Sequence, residues 1–162
     1  MMFVNARAII ERQTDEGIEV LLQIRDKPNE PQAWELPGGR IEEYESIVKA
    51  LTREVYEETG LHVIAIKDDM SRHVLSTSYS SIEGLTPFFV YQTLEGPVDS
   101  IGFIFRCEVD TENPTQMADK QEAYGHQWFS KEDLAITLKE QKDSFDFLTP
   151  GLLTYYFKNT PS

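Results

Sequence analysis

The sequence has little cysteine, few basic residues and no long apolar run. Lys and Arg number 15 against 28 Asp and Glu, so the formal net charge at pH 7 is −13. A surface this acidic lacks the basic footprint that nucleic-acid polymers and anionic membranes require. The single cysteine, Cys107, excludes an internal disulfide and a cysteine-based zinc site. No segment approaches the ~20 apolar residues of a membrane-spanning helix.

The remaining composition is that of an ordinary folded domain. The chain has 162 residues, of which 40% are hydrophobic and 27% charged. This length suits one domain, so we expect a single domain over residues 1–162. The first residues do not show the charged segment and apolar stretch of a signal peptide, and a cytoplasmic location is expected.

Hydrophobic patterning predicts a mixed α/β (α+β) fold with a mixed sheet and helices on its faces. Residues 3–10 and 18–24 are typical of two strands joined as a hairpin. Further strands are predicted over 61–66, 87–92, 101–109 and 124–129. A short helix is expected from Lys131 with Ser130 as its cap, and a last helix or turn over 147–157, interrupted by Pro150 and Gly151.

The clearest predicted helix lies between Ser46, a suitable N-cap, and Gly60, a suitable C-terminal stop. One apolar stripe runs along it, because hydrophobic residues recur at helical spacing: Ile47, Val48, Leu51 and Val55.

Three glutamates, Glu54, Glu57 and Glu58, share one face of this helix. Like charges at that spacing repel, and negative charge in the last turn opposes the helix dipole. Such violations of local rules are typical of functional sites, and a divalent cation held by carboxylates is the simplest compensation. A solvated acidic face is the commoner alternative. Arg53 and Glu45 lie at spacings that let an arginine hold these carboxylates in place.

The segment from Gly39 to Leu61 resembles the Nudix box, G-x5-E-x7-R-E-U-x-E-E-x-G-U, where U is aliphatic. Every fixed position matches: Gly39, Glu45 and the run Arg53-Glu54-Val55-Tyr56-Glu57-Glu58-Thr59-Gly60-Leu61. The resemblance implies a Nudix-type α/β/α sandwich in which the box forms a loop-helix-loop. It also implies hydrolysis of a nucleoside diphosphate linked to another moiety.

Residue roles follow from the resemblance, position by position. Glu54 and Glu58 would be the main ligands of Mg²⁺, or of Mn²⁺ in its place. Glu57 would be a further ligand or would help to activate water, and Arg53 and Glu45 would orient the cluster. The carbonyl of Gly38 would add a ligand.

Three other residues have a functional and an ordinary interpretation. Glu122 lies six residues before Trp128, as does an extra ligand or base in some relatives; otherwise it is a surface loop glutamate. Arg25 could bind a phosphate or be a surface arginine at a strand end. Tyr79 could stack on a nucleobase, although exposed tyrosines are more often without such a role.

The leading prediction is therefore a Mg²⁺-dependent pyrophosphohydrolase acting on a small nucleotide. A metal can offset the repulsion between an acidic protein and a diphosphate and lower the pKa of a bound water. One alternative is a nucleotide-binding sensor without catalysis. Another, an isoprenoid diphosphate isomerase, needs a cysteine on an early strand, and Cys107 lies too late. Nudix relatives often dimerise, so a homodimer is also expected.

Overall fold

The computed structural model describes residues 1–26, 28–68, 70–112 and 125–161. Three α-helices and ten strands form in these ranges. The strands are β1 (Phe3–Thr14), β2 (Gly17–Arg25), β3 (Ala33–Glu35), β4 (Gly38–Arg40), β5 (Val63–Ile66), β6 (His73–Ser76), β7 (Ser81–Gly84), β8 (Phe89–Gln92), β9 (Ser100–Val109) and β10 (His126–Ser130). The helices are α1 (Ile47–Thr59), α2 (Lys131–Glu140) and α3 (Thr149–Lys158).

The main sheet has eight strands and is mixed. Its order is β10-β2-β1-β9-β5, with β3 paired to β2, β4 to β1 and β8 to β9. The central β1–β9 pair is parallel, and the pairs of β1 with β2 and β4 are antiparallel. Strands β6 and β7 form a separate two-stranded sheet. The early hairpin and the mixed sheet confirm the sequence prediction.

Helices cover both faces of the sheet, so the α/β/α arrangement is confirmed. On one face, α1 packs through Leu51 and Val55 onto alternate residues of β1 and β9. On the other, α2 and α3 bury Leu134 and Tyr156 against the remaining alternate residues, including Ile9. The period of two along each strand thus supplies two apolar cores from one sheet.

Helix α1 begins and ends where the sequence predicts. The Ser46 hydroxyl accepts a hydrogen bond from the Lys49 N–H at 3.3 Å. Gly60 adopts a left-handed conformation with φ of 74° and donates its N–H to the Tyr56 carbonyl at 2.8 Å. A residue with a Cβ is strained in that conformation, so glycine ends the helix there.

The predicted secondary structure was wrong or incomplete in three parts of the chain. Helix α3 is not interrupted, because Pro150 falls in its first turn, where no N–H donor is needed. Strands β3 and β4, on either side of Leu36 and Pro37, were not predicted. The β6–β7 hairpin was not predicted. The strand expected over 124–129 is β10, and Tyr124 lies outside the described residues.

Cys107 is wholly buried in β9, and burial raises the pKa of its thiol to about 12. A thiol held protonated in the core is a poor nucleophile. Across the described ranges, no helix combines the length and apolar character needed to cross a membrane.

Candidate active site

Arg53 is the centre of a carboxylate cluster on α1. Its Nε and Nη2 donate to the two oxygens of Glu45 at 2.7 and 2.9 Å. Its Nη1 donates to Glu54 Oε1 at 3.0 Å and to Glu57 Oε2 at 3.2 Å. The hydrogen bonds from Arg53 hold the pKa of Glu45 at about 2. One guanidinium therefore ties the loop before α1 to two glutamates of the helix by charge-assisted bonds.

Glu58 lies deeper than its neighbours on α1 and is 9% exposed. Its Oε2 accepts hydrogen bonds from Gln23 Nε2 at 2.7 Å and from the Gly38 N–H at 3.0 Å. Burial nevertheless raises the pKa of Glu58 to about 8. Without a cation beside it, this carboxyl group is held mainly protonated at neutral pH, and a bound cation would favour its charged form.

A cleft of about 230 Å³ opens beside α1. Both Glu54 and Glu58 line it, whereas Glu57 is not among its lining residues. Four residues of the sheet complete the charged part of the wall: Arg7, Arg25, Glu35 and Arg40. The cleft thus presents carboxylates suited to a cation beside guanidinium groups suited to phosphate oxygens.

Arg7, which is partly buried, and Glu35, which is buried, both line this cleft. Burial disfavours the charge on Arg7, but the carboxylates of Glu35 and Glu58 overcome that effect and raise its pKa. Arg7 donates through Nη1 to the Leu36 carbonyl at 2.9 Å, while its buried Nε has no hydrogen-bond partner. Burial raises the pKa of Glu35, whose Oε2 also lacks a hydrogen bond and lies 3.5 Å from Arg25 Nη1.

A second groove of about 460 Å³ adjoins the first, and the two share Phe147 and Leu148 at the start of α3. Its walls are more apolar and include aromatic rings. Phe89 and Tyr155 stack there with ring centroids 4.0 Å apart. A flat ring attached to a phosphate in the first cleft would find a stacking surface here.

The structure brings most of the predicted site residues together. Gly38 lies at the cleft, and its N–H bonds to Glu58, while the predicted metal contact of its carbonyl stays a prediction. Arg25 lines the cleft at the end of β2. Tyr79 is 97% exposed at the turn of the β6–β7 hairpin and lines neither groove. Glu122 lies outside the described residues.

Sequence reasoning missed Arg7, Glu35 and Gln23. Each carries a recognisable signal, because each is a polar residue of a strand with an apolar residue on either side of it in the sequence. Buried polar residues of this kind are satisfied by partners or serve a site. Their convergence depends on pairing across the sheet, where Gln23 lies opposite Glu35 and Arg7 opposite Gly38.

The donor set fits a hard divalent cation with an incomplete set of protein ligands. Within the described ranges, no three Asp, Glu, His or Cys side chains converge as ligands of one ion. Glu54 and Glu58 both reach the cleft, and Glu54 lies against the backbone of Gly39. A Cβ on Gly39 would come within 2.6 Å of the Glu54 carboxylate. Mg²⁺ commonly binds through a few carboxylates and completes its shell with water and substrate phosphates.

Comparison with known proteins identifies the class. The sequence profile of the NUDIX domain matches residues 1–148, and the chain therefore belongs to the Nudix family. Members of this family generally use a divalent metal ion. A hydrolase of the NUDIX family from Clostridium perfringens superposes with a TM-score of 0.63 at 17% identity, covering 99% of each chain. A MutT protein from Methanosarcina mazei gives 0.62 at 18% identity, covering 99% of this chain and 96% of its own. These likenesses show the fold.

Two curated relatives match over short segments. Human 8-oxo-dGDP phosphatase NUDT18 is 54% identical over 44 residues, which are 27% of this chain and 14% of that protein. The 8-oxo-dGTP diphosphatase of Buchnera aphidicola is 52% identical over 33 residues, which are 20% of this chain and 27% of that protein. The matched segments thus span well under a third of either relative.

Proposed function

We propose that this chain is a Mg²⁺-dependent hydrolase that cleaves a phosphoric anhydride bond of a small nucleotide. The observation that supports it most strongly is the shared cleft, in which Glu54 and Glu58 of α1 face Arg7, Arg25 and Arg40. Family membership and the names of the two curated relatives agree with this chemistry.

In this proposal Glu54 and Glu58 hold the ion, and Arg25 and Arg40 bind the phosphate oxygens. When bound, the ion neutralises phosphate charge and lowers the pKa of a water molecule. A carboxylate of the cluster accepts the proton from the attacking water. The water oxygen bonds to phosphorus, and the anhydride P–O bond breaks to release the leaving phosphate group. Both Glu57 and Glu58 remain candidates for that base, and Glu122 for a further ligand.

The second groove gives the proposal a substrate class. It adjoins the carboxylate cleft and offers stacked aromatic side chains, so we assign it to the nucleobase. Oxidised guanine nucleotides are the first substrates to test, because both curated relatives are named for them. A homodimer stays a prediction that sedimentation of the purified chain tests.

The decisive experiment measures phosphate or pyrophosphate release in Mg²⁺ from a panel of nucleotides. The panel contains 8-oxo-dGTP, 8-oxo-dGDP, their unoxidised forms, ADP-ribose, nucleotide sugars and dinucleoside polyphosphates. Glu54→Gln should abolish turnover, and Glu43→Gln, at an exposed residue of the loop before α1, should preserve it. Full activity of Glu54→Gln contradicts the metal assignment. Stabilisation by a nucleotide without turnover would favour the sensor alternative.

A further inference from the structure

The β6–β7 hairpin packs little of itself against the domain, with one exception. Seven of the eight residues in its strands are exposed, including the apolar Val74, Leu75 and Ile82. The eighth is Glu83, whose side chain is only 13% exposed. This pattern is the reverse of ordinary burial, in which apolar residues turn inward and glutamate stays in water. The inward glutamate therefore calls for an explanation.

Glu83 contacts the first residues of α1. Its Oε2 accepts a hydrogen bond from the Ser46 hydroxyl at 2.7 Å, and its Oε1 accepts one from the Ile47 N–H at 2.8 Å. Ile47 is the first helical residue, whose N–H has no acceptor within its own helix. Glu83 thus caps α1 from a different part of the chain.

Helix α1 needs negative charge at this end. Its first turn contains no acidic residue, although the N-terminus of a helix carries partial positive charge. Its three glutamates lie instead in the last two turns, where negative charge is disfavoured. Arg72 holds Glu83 in place by donating from Nε to Oε2 at 2.8 Å. The hairpin therefore places the Glu83 carboxylate at the N-terminus of α1, whose own first turn has no acidic residue.

The contact leads directly to the candidate active site. Ser46 follows Glu45, both of whose carboxylate oxygens bind Arg53. Arg53 in turn holds Glu54, which lines the cleft. A displacement at Ser46 and Ile47 would move Glu45 relative to Arg53. Arg53 would then no longer hold the Glu54 side chain in its present orientation.

We propose that Glu83 is a positioning residue, through which the β6–β7 hairpin fixes the start of α1 and the Glu45–Arg53–Glu54 arrangement. Its effect on turnover rests on the proposed function. Its effect on the cluster itself does not, and binding of Mn²⁺ alone measures that effect without a substrate.

Three variants test the proposal: Glu83→Ala, Glu83→Gln and, as a matched control, Glu16→Gln at the exposed β1–β2 turn. At saturating Mg²⁺ and well below the melting temperature, Glu83→Ala should lower kcat about tenfold. KM should stay within about twofold, since the groups assigned to substrate lie on the sheet and α3. Glu83→Gln keeps an acceptor for the Ile47 N–H and should rescue part of the loss. A purely structural role would lower the melting temperature without this split between kcat and KM.

Mn²⁺ titration followed by electron paramagnetic resonance supplies the second readout. Glu83→Ala should weaken Mn²⁺ binding severalfold, and Glu16→Gln should leave it unchanged. Unchanged Mn²⁺ affinity and kcat in a folded Glu83→Ala protein would overturn the proposal. If the parent protein binds Mn²⁺ but cleaves no nucleotide in the panel, the proposed function fails, and the Mn²⁺ titration still decides the role of Glu83. A parent protein that binds no Mn²⁺ would overturn both.

Discussion

Replacing Glu58 with glutamine should make the metal-free protein more stable while removing its activity. The carboxyl group is buried, and its pKa is raised to about 8 from an ordinary value of 4.5. The native state therefore holds the proton at pH values where the unfolded chain releases it, so stability falls as pH rises from 4.5 towards 8. Glutamine removes this proton linkage, and its amide oxygen can still accept the bonds from Gln23 and Gly38.

The size of the effect follows from that pKa difference. Each pH unit between 4.5 and 7 is worth about 1.4 kcal/mol, so Glu58→Gln should gain about 3 kcal/mol at pH 7. At pH 5 the gain should fall below about 1 kcal/mol, because pH 5 lies close to the ordinary pKa of 4.5 and the unfolded chain then still holds part of its proton. Urea unfolding in a chelator at the two pH values measures both free energies. Glu57→Gln, on the same helix but partly exposed, should change stability by no more than about 0.5 kcal/mol.

If the stability gained by Glu58→Gln does not increase between pH 5 and pH 7, the argument from the burial of Glu58 is refuted. Addition of Mg²⁺ supplies an independent check. An ion that binds the native state stabilises it by mass action, and its charge favours ionised Glu58. Mg²⁺ should therefore stabilise the parent protein more than it stabilises Glu58→Gln. The difference between their free energies of unfolding should become smaller.

Three further changes test other parts of the structure. Glu11→Gln should cost about 3 kcal/mol at pH 7 by urea unfolding, because it leaves Arg106 without its buried partner. Burial would raise the pKa of Glu11, but hydrogen bonds from Tyr156 and Arg106 outweigh that effect and hold the pKa below 4.5. The stability contributed by ionised Glu11 is therefore present above pH 4.5 and is lost on acidification. Gly39→Ala should reduce turnover at least about tenfold with little change in melting temperature, because its Cβ would displace the Glu54 carboxylate. Gly151→Ala, in α3 with open space around it, should raise the unfolding free energy by about 0.5–1 kcal/mol.

Much of the fold could be predicted because its signals are local. Ser46 and Gly60 bound α1 through hydrogen bonds that reach no further than four residues. The β6–β7 hairpin was missed because its apolar residues face water, so the usual alternation carries no information about burial. The continuity of α3 was missed because the effect of a proline depends on whether it falls inside the helix or, like Pro150, in its first turn.

The candidate site divides in the same way. Glu54, Glu57 and Glu58 could be found from spacing, since one helix places them on one face. Arg7 and Glu35 could not, because their approach to the glutamates depends on the register of β1 with β4 and of β2 with β3. Tertiary register is set by packing over the whole sheet, and a single sequence does not display it.

The three glutamates of α1 are arranged against the preferences of an isolated helix, and the fold compensates for their charge in two ways. Glu54 and Glu57 share the guanidinium of Arg53. Glu58 avoids repulsion because burial raises its pKa. The unfavourable interaction of these glutamates with the helix dipole is offset at the N-terminus of α1, where the Glu83 carboxylate interacts favourably with the same dipole. A cation bound beside Glu58 would favour the ionised form of its carboxyl group, and it would compete with Arg53 for the carboxylate of Glu54.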